Sequence, residues 1–142
     1  QDDGRMTNVE LAKRAGISAP PCLRRVRGLE ESGIIRGYHA DLDAEALGYS
    51  VQVFAFVGLT SQAEADLQHF EEMVTSWPQV RECHMLMGET DFLLKIVAHD
   101  WDDFQKFLTT RLTPAPNVSH VKTALAIRSA KNMPGVPIDG SE

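Results

Sequence analysis

Between Val51 and Ile127 the hydrophobic repeat of the chain switches back and forth between strand and helix periods, and this alternation narrows the choice of fold more than any other feature. Val51 to Leu59 is rich in β-branched and aromatic residues and has the length of a strand. Ala63, Leu67, Phe70, Val74 and Trp77 then follow 4-3-4-3 spacing, which lines one face of a helix. Val80 to Met87 and Phe92 to Ala98 read as strands, joined by turn-forming Gly88-Glu89-Thr90-Asp91. Trp101, Phe104, Leu108 and Leu112 make a second helical stripe that Pro114 and Pro116 stop, and Val118 to Ile127 is a last strand. Both tryptophan-bearing stripes read as core. The order β-α-β-β-α-β is that of a ferredoxin-like unit.

The strands are apolar on both sides. Val51, Val53, Ala55, Val57 and Leu59 share one face of the first, and Phe54, Phe56 and Gly58 the other. Phe92, Leu94 and Ile96 alternate with Leu93, Lys95 and Val97. Two helices cover only one face of a four-stranded sheet. The second face needs another cover, and the sheet of a second copy is the economical one, so a homodimer is expected.

The first third reads differently. Thr7-Asn8-Val9-Glu10 fits a capping box, and Leu11, Ala12 and Ala15 give a short apolar face that Gly16 ends. Ser18 is a new N-cap, Pro20 and Pro21 fall in the first turn of the next helix, Leu23, Val26 and Leu29 line its inner side, and Gly33 stops it. A short helix, a glycine turn and a second helix with basic outer positions is a helix-turn-helix pattern. The formal net charge is -6, which alone argues against a nucleic-acid partner. The distribution argues the other way. From Ala12 through Gly28 stand Lys13, Arg14, Arg24, Arg25 and Arg27 with no acid among them, while residues 51–142 hold seven Lys and Arg against twelve Asp and Glu. A basic head on an acidic body suits DNA binding by the second helix, with Ser18, Ala19, Pro20, Arg24, Arg25 and Arg27 as the contact set. The competing reading is an ordinary surface helix with solvated arginines.

Ile34 to Leu42 reads as extended, and the chain divides after Gly48, into a DNA-binding domain with hinge strand (1–48) and a second domain (49–142) expected to oligomerise through its sheet. Gly88-Glu89-Thr90-Asp91 has two readings: a plain hairpin turn, or a pocket whose backbone N–H groups and carboxylate hold the two charged ends of an amino acid. The five histidines lack metal-ligand spacing, although His84 and His120 lie on strands that could bring them together, and no metal or cofactor is expected. Cys22 and Cys83 form no CxxC pair, and Cys22 reads as a small packing residue. No apolar run approaches the ~18 residues of a membrane span and the N-terminus has no signal-peptide pattern, so a cytoplasmic protein with no membrane partner is expected.

Read in order, Gly4 to Ala12, Ser18-Ala-Pro-Pro-Cys-Leu-Arg-Arg-Val-Arg-Gly-Leu-Glu30, Gly33 to Tyr38, Leu47-Gly48 and Gly88 to Lys95 resemble the Lrp/AsnC (feast/famine) transcription regulators. The resemblance implies an α+β protein: a winged helix-turn-helix head and a ferredoxin-like effector domain. It also implies dimers through the sheet that assemble to a tetramer of dimers, promoter DNA as one partner and a small effector, commonly an amino acid, as the other. Gly88, Glu89, Thr90, Asp91 and Thr123 would hold that effector. There are departures. The family begins with a further helix before Gly4, so the head's first helix is expected to be missing, and Ala124 stands where the last strand usually carries serine. Some relatives of this two-domain form are sirohaem decarboxylases. Those enzymes carry a histidine a few residues before Leu47-Gly48, where this chain has Ala44, and a second arginine where it has Gly37. Without that acid–base residue the chain is expected not to be an enzyme. A DNA-free amino-acid sensor remains as a third reading, if the basic helix is inert.

Overall fold

A computed structural model describes residues 1–138. The chain forms two compact units. One holds Gln1–Leu42 together with the C-terminal segment from Lys131, and the other holds Asp43–Ala130.

In the first unit, α1 (Asn8–Ala15) and α2 (Ala19–Glu31) meet through a tight turn. The capping box is formed. Thr7 Oγ1 accepts from the Glu10 N–H, and the Glu10 carboxylate accepts from the Thr7 N–H, each at 3.2 Å. Gly16 closes α1 in the left-handed region at φ 66°, a conformation that side chains resist. The Asn8 side-chain amide donates to the Ala19 carbonyl at 3.0 Å and so ties the start of α1 to the start of α2. Among the described residues of this unit only Ala12 and Cys22 are buried. Leu11 and Val26 are half-buried, and Ala15, Leu23 and Leu29 are exposed. Ile34–Leu42 has no strand partner among the described residues, because a strand is defined by the neighbour it bonds to and none lies beside it.

The second unit is a four-stranded antiparallel sheet in the order β2-β3-β1-β4, made of β1 (Val51–Leu59), β2 (Val80–Met85), β3 (Phe92–Ala98) and β4 (Val118–Leu125). With α3 (Glu64–Thr75) after β1 and α4 (Trp101–Phe107) after β3, this is the ferredoxin-like arrangement that the pattern predicts. Val53, Ala55, Val57 and Leu59 of β1 and Phe92, Leu94, Ile96 and Ala98 of β3 face the helices and are buried with Phe70, Val74, Trp77, Phe104, Phe107 and Leu112. The Phe70 and Phe92 rings lie 4.8 Å apart at its centre. On the other side of the sheet Gln52, Phe54, Phe56, Leu93, Lys95 and Val97 are half-buried, with no element of the unit across them.

One helical reading needs correction. Trp101 is not core. It stands at the first position of α4, is 47% exposed, and leans on Phe104 with ring centres 5.3 Å apart. After Phe107 the helix widens into a π turn, Leu108–Leu112, closed by the Thr113 N–H to the Leu108 carbonyl. Phe104 and Phe107 share the buried face of α4, and beyond them Leu108 is half-buried and Leu112 buried as the wider turn shifts the phase of the stripe.

Candidate DNA and effector sites

At 100° per residue α2 presents two sides. Cys22, Val26 and Leu29 share the side turned toward α1. Pro20, Arg24, Arg27 and Gly28 lie opposite, and Arg25 stands to one flank. Ser18, Pro20 and the three arginines are exposed, and Ala19 is half-buried with its carbonyl held by Asn8. None of the three guanidinium groups is paired with a carboxylate among the described residues. The helix therefore offers unneutralised positive charge over its outer side.

The turn between β2 and β3 sits at the far end of β1. The Asp91 N–H donates to the Val57 carbonyl at 2.9 Å, and the Leu86 N–H to the Asp91 carbonyl at 2.8 Å. The Asp91 carboxylate has a structural task that its sequence does not reveal: Oδ2 accepts the Leu59 N–H at 2.6 Å and lies 3.5 Å from the Gln62 side-chain amide. It takes the place of the neighbouring strand where β3 has run out. Gly88 and Glu89 are exposed, and a Cβ at Gly88 would meet nothing within 4 Å.

Thr123 is not beside this turn. It pairs with Ala55 on the edge strand and faces the helix side, more than about 10 Å from Asp91 by strand spacing and rise. His120 is nearer the turn's level. It pairs with Gly58, and a Cβ built on Gly58 would collide with the His120 ring. Ser119 Oγ donates to the Gly58 carbonyl at 3.0 Å and lies 2.9 Å from His120 Nδ1, so the ring is held flat over the bare glycine. A glycine inside a strand is the sequence signal for such a close approach. His84 and His120 do not meet: β2 and β4 are the two edges of the sheet, about 14 Å apart at ~4.8 Å per strand.

On the open face Glu82 lies 3.0 Å from His84 Nε2 and 3.2 Å from Lys95 Nζ. The His84 hydrogen bond, with Lys95 adding to it, holds the Glu82 carboxyl below its ordinary range. Burial pushes the Cys83 thiol up to about 11, which leaves it protonated and unreactive near neutrality. A cluster missed in the sequence fixes the residues before β1. The Tyr49 ring stacks on His99 at 4.2 Å, His99 Nδ1 lies 2.9 Å from the Gly48 carbonyl, and Ser50 Oγ donates to the His99 carbonyl at 2.7 Å.

Comparison with known proteins finds a family match in each part of the chain. Residues 52–136 match the Lrp/AsnC ligand binding domain, and residues 1–36 match a winged helix-turn-helix DNA-binding domain. The chain belongs to the Lrp/AsnC family. It is 57% identical over 132 residues to the leucine-responsive regulatory protein of Rhizobium meliloti, covering 93% of this chain and 85% of that protein. It is 43% identical to the Bkd operon transcriptional regulator of Pseudomonas aeruginosa, covering 90% and 84%. Among solved structures, a transcriptional regulator from Neisseria meningitidis in complex with L-methionine superposes with a TM-score of 0.90 at 34% identity, covering 96% of this chain and 88% of that one. This Lrp/AsnC protein is thus a DNA-binding transcription regulator that carries a ligand-binding domain.

Proposed function

We propose that this regulator reads promoter DNA with α2 and changes its DNA binding when a free amino acid occupies the Gly88–Asp91 turn at a seam between copies of the chain. The DNA contacts are Ser18, Ala19, Pro20, Arg24, Arg25 and Arg27, within a DNA-binding region of residues 1–48. Residues 49–142 sense the effector and assemble, first as a homodimer through the open sheet face and then as a tetramer of dimers. The observation that carries this reading is the uncovered row Phe54, Phe56, Leu93 and Val97 on the same sheet as an exposed turn. Such a row invites a second sheet, and a turn open to solvent on one chain is completed by a neighbour. Thr123 would join the turn only from another copy.

The L-methionine in the Neisseria meningitidis regulator supports an amino acid as the effector class. Asp91 would hold the ammonium through the carboxylate oxygen that Leu59 leaves free, and backbone N–H groups near Gly88 would hold the carboxylate. We place the protein in the cytoplasm, where free amino acids and promoters meet, and read it as non-enzymatic, since Ala44 supplies no acid–base group. No helix among the described residues is long and apolar enough to cross a membrane.

The test is a DNA titration with and without each of the twenty amino acids. Asp91→Asn keeps an oxygen for the Leu59 N–H but removes the charge. It should weaken effector binding by about ten- to a hundredfold, the worth of one charge-assisted hydrogen bond, and leave effector-free DNA binding unchanged. An undiminished response in Asp91→Asn places the effector elsewhere. Replacing Phe56 with Glu should turn the dimer into a monomer in sedimentation, because the charge would be buried unpaired.

A further inference from the structure

Resting on the reading that α2 meets DNA, we infer that Gly28 is where the sugar–phosphate backbone crosses that helix in van der Waals contact. Gly28 is the single glycine inside a helix among the described residues. A glycine there costs ~0.5–1 kcal/mol relative to alanine. The other glycines of the two units mostly show their reason. Gly16, Gly33 and Gly48 have positive φ, and Gly58 makes room for His120. Gly28 has neither. Its φ is helical and a Cβ added to it would meet nothing within 4 Å. Nothing in the fold asks for glycine at this position.

Its surroundings say what does. Gly28 lies on the side of α2 opposite Cys22 and Val26, in one patch with Pro20, Arg24 and Arg27. Arg24 precedes it by one turn and Arg27 by one residue, both exposed. Glu31, one turn further on, brings a negative charge to the same side and ends the patch. A bare Cα flanked by two guanidinium groups fits a phosphate rail closely. The missing side chain lets the helix axis come nearer the DNA, and that approach lets Arg24 reach past the rail into the groove. Contact through a Cα carries no base information, so Gly28 sets affinity and docking depth rather than sequence preference.

The test uses the full chain without effector. Gly28→Ala should leave thermal stability equal or higher, and weaken binding by about tenfold, with a shallower salt dependence as phosphate contacts are lost. Gly28→Leu should weaken it further. The loss should be the same on a random-sequence duplex and on a duplex the protein selects from a randomised pool. Unchanged affinity in Gly28→Ala would overturn the inference, and so would a loss confined to the selected duplex, which would mean a base-edge contact. A fall in thermal stability would also overturn it, because the space around Gly28 would then not be open.

Discussion

The two units of this regulator are held together by different means. The head buries Ala12 and Cys22 and relies on devices local in sequence: a capping box at Thr7, a left-handed Gly16, and one side-chain bond from Asn8 to Ala19. Its helices, of eight and thirteen residues, lie below or at the lower edge of the ~12–15 residues at which an isolated helix holds in water. The effector unit has the continuous core, built from strands and helices far apart in sequence. Local chemistry can shape a reading head that must adapt to DNA, whereas a sheet that is to present a fixed face needs long-range burial.

That contrast can be measured by amide exchange. Phe92→Ala, at the fully buried centre of the effector core, should have the largest effect, about 3–5 kcal/mol, which speeds exchange in β1 and β3 by roughly two to nearly four orders of magnitude. Gly16→Ala forces a side chain into the left-handed region and should cost about 1–2 kcal/mol, read as faster exchange in α1 and α2 and not in the sheet. Thr7→Ala should cost about 1 kcal/mol in α1 alone. Equal effects of Gly16→Ala on head and sheet would break the comparison. The smallest effects are those of pH, and they should separate the units by direction. Glu82 titrates below its ordinary 4.5, so its contribution is complete above that pH and fades as pH falls through the lowered value. Tyr38 in the head, bonded to Glu30, titrates above its ordinary 10.0, so its contribution holds below that pH and fades as pH rises past it. Glu82→Gln should therefore flatten the acid limb of the effector unit's stability, and Tyr38→Phe the alkaline limb of the head's.

The amount legible in the sequence follows the same division. The capping box, the Gly16 turn, the extent of β1 and β3 and the doubly apolar sheet all rest on residues within a few positions of each other or on a strict period. What escaped depended on tertiary partners. Trp101 matches a helical stripe, but its place at the first position of α4 puts it in solvent. Thr123 and the Gly88–Asp91 turn belong to one site by family resemblance, yet strand register sets them apart within a chain. The Tyr49–His99 stack joins residues fifty positions apart with no motif to mark it. Asp91 was legible as a turn carboxylate and not as the acceptor of a strand amide.

That last contact has a practical consequence. The Leu59 N–H points at the carboxylate that, on the proposed reading, meets an incoming ammonium, so its proton would be a built-in gauge of that site. When the carboxylate shares its charge with a ligand, this amide's hydrogen bond must lengthen, and its proton resonance must move upfield. A single backbone signal would then report occupancy in solution without a label, a promoter or a second chain, and would separate ligands that engage the carboxylate from those that merely sit nearby.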